Sequence, residues 1–289
     1  ESGRQRYRLA HSAFGQVAVA AHGNVSVLGQ SVSATLDLGD QATLRLLSLN
    51  GEVTLGGATT SAGGRVELNS KAGGVSLAAG ASVDLAGRFI NAFQDGPTAS
   101  GAITGGSFSA SGNLGVNLAA GSRVDVSGGA LVDAAGKTTG GNAGAISLAH
   151  TALLPADAPG LTMDGQLRGA SLATGGSLSL TAPVVQIGGS ALEAGTLVLD
   201  PTHFTAGGFS SYSVDGRSEL KVAADTALTL RRDEFQIDPR AAVLAPSGTL
   251  LAGLLSAGPA PGVASAPMQL TLRSSGTDAE TGSLTVGTG

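Results

Sequence analysis

Short apolar–polar–apolar triplets recur along this chain almost from end to end. Val25/Val27, Val53/Leu55, Val66/Leu68, Val75/Leu77, Val83/Leu85, Val116/Leu118, Val124/Val126, Ile146/Leu148, Leu178/Leu180 and Leu284/Val286 are all spaced i, i+2. Polar or small residues sit between them: Ser26, Thr54, Glu67, Ser76, Asp84, Asn117 and Asp125. A spacing of two sends alternate side chains to opposite faces of a strand, so each triplet predicts a short strand with one face buried. Helical periodicity is hard to find, and Gly recurs too often for helix interiors.

One phrase is written twice. GGVSLAAGASVDLAG at 73–87 returns as LGVNLAAGSRVDVSG at 114–128, an offset of 41 residues. Repetition in one direction, punctuated by Gly-Gly and Ala-Gly, predicts a solenoid of parallel strands. Antiparallel sandwiches would show Asn-Gly or Asp-Gly hairpin turns instead. Strand centres about eight residues apart suggest three strands per coil and coils of roughly 20–25 residues. The 41-residue offset then spans about two coils. Some 12–14 coils at about 4.8 Å each would make a rod of roughly 60–70 Å. The expected fold class is all-β, a parallel β-helix with loop insertions, with a sandwich or β-prism-like fold as the alternative.

Three stretches interrupt the pattern. Residues 87–106 carry two Phe and a Pro, 150–171 carry Pro155 and Pro159, and 256–267 are rich in Pro, Ala and Gly. They are expected to leave the rungs as loops. Residues 200–245 hold more charge and more aromatics, with Leu220/Val222 and Leu228/Leu230 as strand pairs. The expected organisation is therefore β-helix repeats over 1–199, with loops near 87–106 and 150–171. Residues 200–289 would continue the helix less regularly.

Composition narrows the function classes. Apolar residues make up 42% of the 289 residues, enough for a core. With 16 basic and 21 acidic residues the net charge is −5, which argues against nucleic acid as a partner. The chain has no Cys, hence no disulfide framework and no thiolate metal site. A cysteine-free chain rich in Gly, Ser and Thr suits a bacterial protein that crosses the envelope unfolded. No apolar run is long enough to span a membrane as a helix; the best, at 249–257, is too short. No secretory signal is read before Glu1, and the chain is expected to be a piece of a longer protein.

Candidate chemistry is sparse. His11, His22, His150 and His203 have no ligand spacing and read as solvated or turn residues. No metal or cofactor is expected. A sugar-cleaving β-helix would need two carboxylates roughly 5–10 Å apart. Asp84 and Asp125 are equivalent in the repeat, but at two coils they would stand roughly 10 Å apart. They read better as turn or outward residues, and the chain is expected not to be an enzyme. Arg4, Arg6 and Arg8 alternate on one strand face and are the candidate surface-binding residues, suited to an acidic glycan. The plainer reading is a solvated edge strand. Phe204, Phe209 and Tyr212 suggest either a sugar-stacking platform or a plug in a widened core. The charge run at 231–240 reads as a paired or solvated loop.

The phrase G-x-V-x-L-x-A-G-x-x-V-D-L/V-x-G, with GGSLSL and VDVSGG, resembles the shaft of filamentous haemagglutinin-type large exoproteins. The resemblance covers most of 23–200 and, more loosely, 207–230. It implies a right-handed β-helix on the bacterial cell surface or released from it. It also implies an outer-membrane transporter as the partner in two-partner secretion, and a glycan or a host or bacterial surface receptor. Autotransporter passengers are similar. The family's secretion domain carries Asn-Pro-Asn-Gly, and no Asn-Pro occurs here. The chain thus looks like shaft, and the family carries no functional residue over to it. The resulting expectation is a structural and adhesive rod. The alternatives are a polysaccharide-degrading enzyme or the stalk of a toxin-delivering exoprotein.

Overall fold

The structure is a computed structural model that describes residues 15–27, 35–96, 99–152, 160–190, 195–232, 234–258, 268–276 and 281–287. The chain is a parallel β-helix. Its principal sheet stacks eight strands in sequence order: Gln16–Ala21, Thr43–Ser48, Arg65–Ser70, Ser107–Gly112, Ala145–His150, Ser177–Ile187, Ser211–Val222 and Gln269–Arg273. A second sheet stacks Val25–Val27, Val53–Leu55, Val75–Leu77, Gly115–Leu118 and Gly160–Met163. A third stacks Thr35–Asp37, Ala58–Thr60, Ser82–Asp84, Arg123–Asp125 and Gln166–Arg168.

The register explains the triplets. Inward residues form vertical ladders, one residue per rung: Val25, Val53, Val75, Val116 and Leu161 in the second sheet. In the principal sheet Leu44, Val66, Phe108, Ile146, Leu178 and Tyr212 stack in the same way, and all are buried. Large and small residues compensate within a rung. Phe108 is followed two positions on by Ala110, itself between Leu68 and Leu148. The phrase V-D-L/V also acquires a physical meaning. Asp37, Asp84 and Asp125 each end a strand, and each accepts a hydrogen bond through Oδ1 from the backbone N–H two residues on, at 3.0–3.1 Å. This Asx turn bends the chain. The intervening Leu38, Leu85 or Val126 then drops into the core.

The coil count differs from the sequence expectation. Rungs of the principal sheet begin at residues 16, 43, 65, 107, 145, 177, 211 and 269. The described rod therefore has eight rungs and a length of about 35 Å, not 12–14 coils. The 41-residue offset is one rung, because Val116 pairs directly with Val75 and Asp125 with Asp84. A compact rung and an insertion together look like two rungs in sequence. The stretch 150–171 also differs, since it supplies rung strands Gly160–Met163 and Gln166–Arg168. Leu228 and Leu230 form no strand pair; the strand stops at Val222.

The described part of 87–106 does leave the rungs, but it folds. Phe89–Asn91 pairs parallel with Ala130–Val132, which pairs antiparallel with Thr138–Gly140. Onto this small side sheet docks an arm, 234–258. Its ends pair antiparallel through Phe235–Ile237 and Leu255–Ala257. Between them lies the short helix Pro239–Leu244, capped by the Asp238 carboxylate. The charge run at 231–240 is thus partly strand and helix cap. Phe89, Ala130, Val132, Ala242 and Ala245 form a second, minor core. Asn91, fully buried, clamps the arm. Its Nδ2 donates toward the carbonyls of Ala242, Val243 and Ala245 at 3.1, 3.0 and 2.7 Å, and its backbone N–H donates to Ser247 Oγ.

Stacking is tightest along a glycine ladder. A Cβ on Gly106 would strike the Gly64 carbonyl oxygen, and one on Gly144 would strike that of Gly106. A Gly144→Ala variant is expected to lose about 1–3 kcal/mol through overpacking. Gly74→Ala, whose Cβ would meet nothing nearer than 3.6 Å, is expected to be neutral. Urea melts of the two variants check the contrast. Asn91→Ala leaves buried carbonyls without donors and is expected to cost about 2–3 kcal/mol. Limited proteolysis is expected to cut first within 234–258 while the rungs stay protected.

Candidate functional site

The glycine ladder sets the geometry of a concave feature on the outside of the coil. Because Gly64, Gly106, Gly144 and Gly176 carry no side chains, the corner entering the principal sheet is sunken on rung after rung. The result is a shallow trough of about 940 Å³ that runs parallel to the helix axis, from Gln16 on the first rung to Ser211 on the seventh. Its floor is backbone. One wall is the outward row Thr43, Arg65, Ser107, Ala145, Ser177 and Ser211, stacked in register. The other wall comes from turns, including Gln41, Thr104 and Thr174. Hydroxyls, amides and peptide groups dominate, which suits a long polar ligand lying across the rungs.

Among the described residues, charge enters the trough lining at one end. Arg45 on the second rung and Arg65 and Glu67 on the third all line it. Arg45 Nε donates to Glu67 Oε2 at 2.5 Å, and Arg65 reaches Glu67 Oε1 at 3.4 Å. The Arg45 hydrogen bond, reinforced by Arg65, holds the Glu67 carboxyl below the usual carboxylate range. Glu67 therefore stays ionised and is a poor proton donor.

The Asp84/Asp125 pair lies elsewhere, on the third sheet. It occupies adjacent rungs rather than positions two coils apart. Each aspartate uses one oxygen for its Asx turn, and Asp125 Oδ2 takes Arg123 Nη2 at 2.5 Å. Although Asp84 lies on the exposed side of its strand, desolvation by the surrounding protein raises its pKa, with the Asp125 charge adding to the effect. These are turn-building carboxylates.

The remaining candidates resolve separately. Phe204, Phe209 and Tyr212 are buried and meet edge to face, with ring centroids 5.4 and 6.0 Å apart, so they plug the core and form no surface platform. His22 is exposed, and His203 Nδ1 lies 3.0 Å from the Asp200 carbonyl oxygen in a 3-10 turn. His150 departs from the solvated reading: it is 1% exposed. It sits at the corner position held by Ser70 two rungs away and by Ser48 three rungs away. Those serines donate to the Gly23 and Gly51 carbonyls. Neither His150 ring nitrogen has a hydrogen-bond partner. Among the described residues no three His, Asp or Glu gather as a metal-holding group, and no helix is long and apolar enough to cross a membrane. Arg4, Arg6, Arg8 and His11 lie outside the described residues.

Fold and surface together define a parallel β-helix with an axial, hydroxyl-lined trough. Comparison with known protein families, with curated proteins and with solved structures found no match to this chain. The trough was hidden from sequence reasoning, because its lining is spread over seven rungs, each contributing between one and four of its residues. Its one linear signal is the Gly-Gly doublet before three of its strands, at 63–64, 105–106 and 175–176, with Ala143-Gly144 before the fifth rung.

Burial gives the His150 pH prediction its sign. Desolvation lowers its pKa from the ordinary 6.5, and the nearby Asn113 carbonyl only partly opposes this. The unfolded chain then binds the proton first. The contribution is intact above about pH 6.5 and is lost as pH falls toward the lower folded-state value. As pH drops below about 6.5, stability should fall with a slope no steeper than about 1.4 kcal/mol per pH unit. His150→Leu should flatten that slope in thermal melts; an unchanged slope would place the titration elsewhere.

Proposed function

We propose that this chain is a structural and adhesive segment of a secreted bacterial surface exoprotein of the filamentous haemagglutinin type. It acts as a stiff β-helical rod, exported through an outer-membrane transporter, that contacts or presents contacts to glycans, matrix or other cells. The observation that carries the reading is the in-register stack of eight rungs with a polar trough along its axis. Continuous ladders of hydrogen bonds and Val/Leu/Ile side chains stiffen such a rod without disulfides. A trough floored by backbone and walled by hydroxyls favours extended polysaccharide over a compact ligand. Polysaccharide cleavage is the weaker reading. The trough's described lining has one carboxylate, Glu67, held ionised between two arginines, where glycoside hydrolysis ordinarily uses a carboxyl pair.

The test is binding of the purified chain to an immobilised glycan and matrix panel, beside Ala145→Trp. Ala145 faces outward midway along the trough wall, so the indole fills the groove. The expected result is selective binding by the parent chain, weakened at least tenfold in the variant. Binding to nothing on the panel by the parent chain would sink the adhesive reading.

A further inference from the structure

We infer that the trough binds a linear acidic polysaccharide, laid parallel to the helix axis with its carboxylates drawn to the Arg45–Arg65 end. The inference rests on the trough being the adhesive surface and adds the ligand's charge and orientation.

Three observations support it. First, the charge of the trough runs against that of the chain. The chain carries net −5, yet among the described residues the charged ones lining the trough are Arg45, Arg65 and Glu67. One anion between two cations leaves a surplus positive charge. Second, the two guanidinium groups remain available. Arg45 and Arg65 side chains are 52% and 61% exposed, whereas Glu67 is 23% exposed beneath them. Arg45 reaches Glu67 through Nε, and the Arg65 contact is long at 3.4 Å. A planar guanidinium with unused donors is the group best shaped to take a carboxylate by two parallel hydrogen bonds.

Third, a further cation adjoins the trough on its sixth rung. Arg232 Cδ would lie 3.1 Å from a Cβ on Gly175, a lining residue. Nε and Nη1 of Arg232 are buried without a hydrogen-bond partner. These two donors have no partner among the described residues, and the field of the guanidinium favours a negative ligand close by. The two cationic regions stand three to four rungs apart, about 15–19 Å along the axis. Between them run the neutral hydroxyls of Ser107 and Ser177 and the backbone of Gly106 and Gly144. A single small anion satisfies one region only. A chain of sugar rings with repeated carboxylates reaches both and offers its hydroxyls to the stretch between.

The test is calorimetric titration of the parent chain with a galacturonate oligomer and with a neutral xylose oligomer of equal length. Arg45→Gln/Arg65→Gln, Arg232→Gln and Ala145→Trp are titrated alongside, each checked for an unchanged far-ultraviolet spectrum. The expected result is at least tenfold preference for the acidic oligomer, falling steeply with added salt. The double arginine variant should lose that preference without losing residual neutral binding. Arg232→Gln should weaken the acidic oligomer several-fold, and Ala145→Trp should abolish binding of both. Equal affinity for the two oligomers, insensitive to the arginine variants but lost in Ala145→Trp, would overturn the acidic ligand and leave the trough as the adhesive surface. Absence of binding by either oligomer would overturn both readings for the trough.

Discussion

Everything in this molecule depends on one constraint: each rung must repeat the one beneath it at a spacing of about 4.8 Å, residue over residue. In-register stacking couples side-chain choice vertically. Val53, Val75 and Val116 are alike because each is the floor of the next. The same constraint acts on the backbone at the corners. Where the carbonyl of one rung points at the α-carbon of the next, only hydrogen fits, and the Gly64–Gly106–Gly144 ladder follows. Core and trough are therefore two consequences of one geometry. Branched side chains fill the inside of the coil, and the absence of side chains at one corner hollows the outside.

Departures from the repeat are absorbed at corners and not in the sheets. The insertion after Asp84 and the hairpin after Asp125 emerge at equivalent turns. Their emergence at neighbouring turns lets Phe89–Asn91 pair with Ala130–Val132 outside the main stack. Ion pairs reinforce the turns without carrying the fold. Arg88 grips Asp40 through Nε at 2.7 and 2.9 Å, tying the insertion to a corner near the second rung, yet its side chain is half exposed. Screening keeps such a pair to at most about 1 kcal/mol.

Much of this architecture was legible in the sequence, because period-two alternation beside Gly is a local signal. Strand after strand lies where its triplet predicts, and the Asp of V-D-L/V is a turn residue as read. What misled was length. An insertion of about 20 residues, added to a compact rung of 22, mimics an extra coil, and no local pattern separates the two. His150 was misread because burial at a corner is set by its neighbours on other rungs. The trough was invisible for the same reason. Its wall alternates residues such as Thr43, Ser107 and Ser177, each ordinary in its own strand and significant only when stacked. The docking of 234–258 onto Asn91 has no linear signature either, since its hydrogen bonds span more than 150 residues.

That docking alters how the rod comes apart. A bare solenoid melts like a zipper, because each rung leans only on its neighbours and fraying can advance from either end one rung at a time. Here Asn91, inserted between the third and fourth rungs, holds a segment that leaves the chain after the seventh. The strap closes a circuit across the middle of the stack. Pulling on the end beyond the arm loads the seventh rung and the clamp together, so separation of the upper rungs becomes one concerted event. A rod fastened in this way yields in a single large step, resisting until the clamp fails.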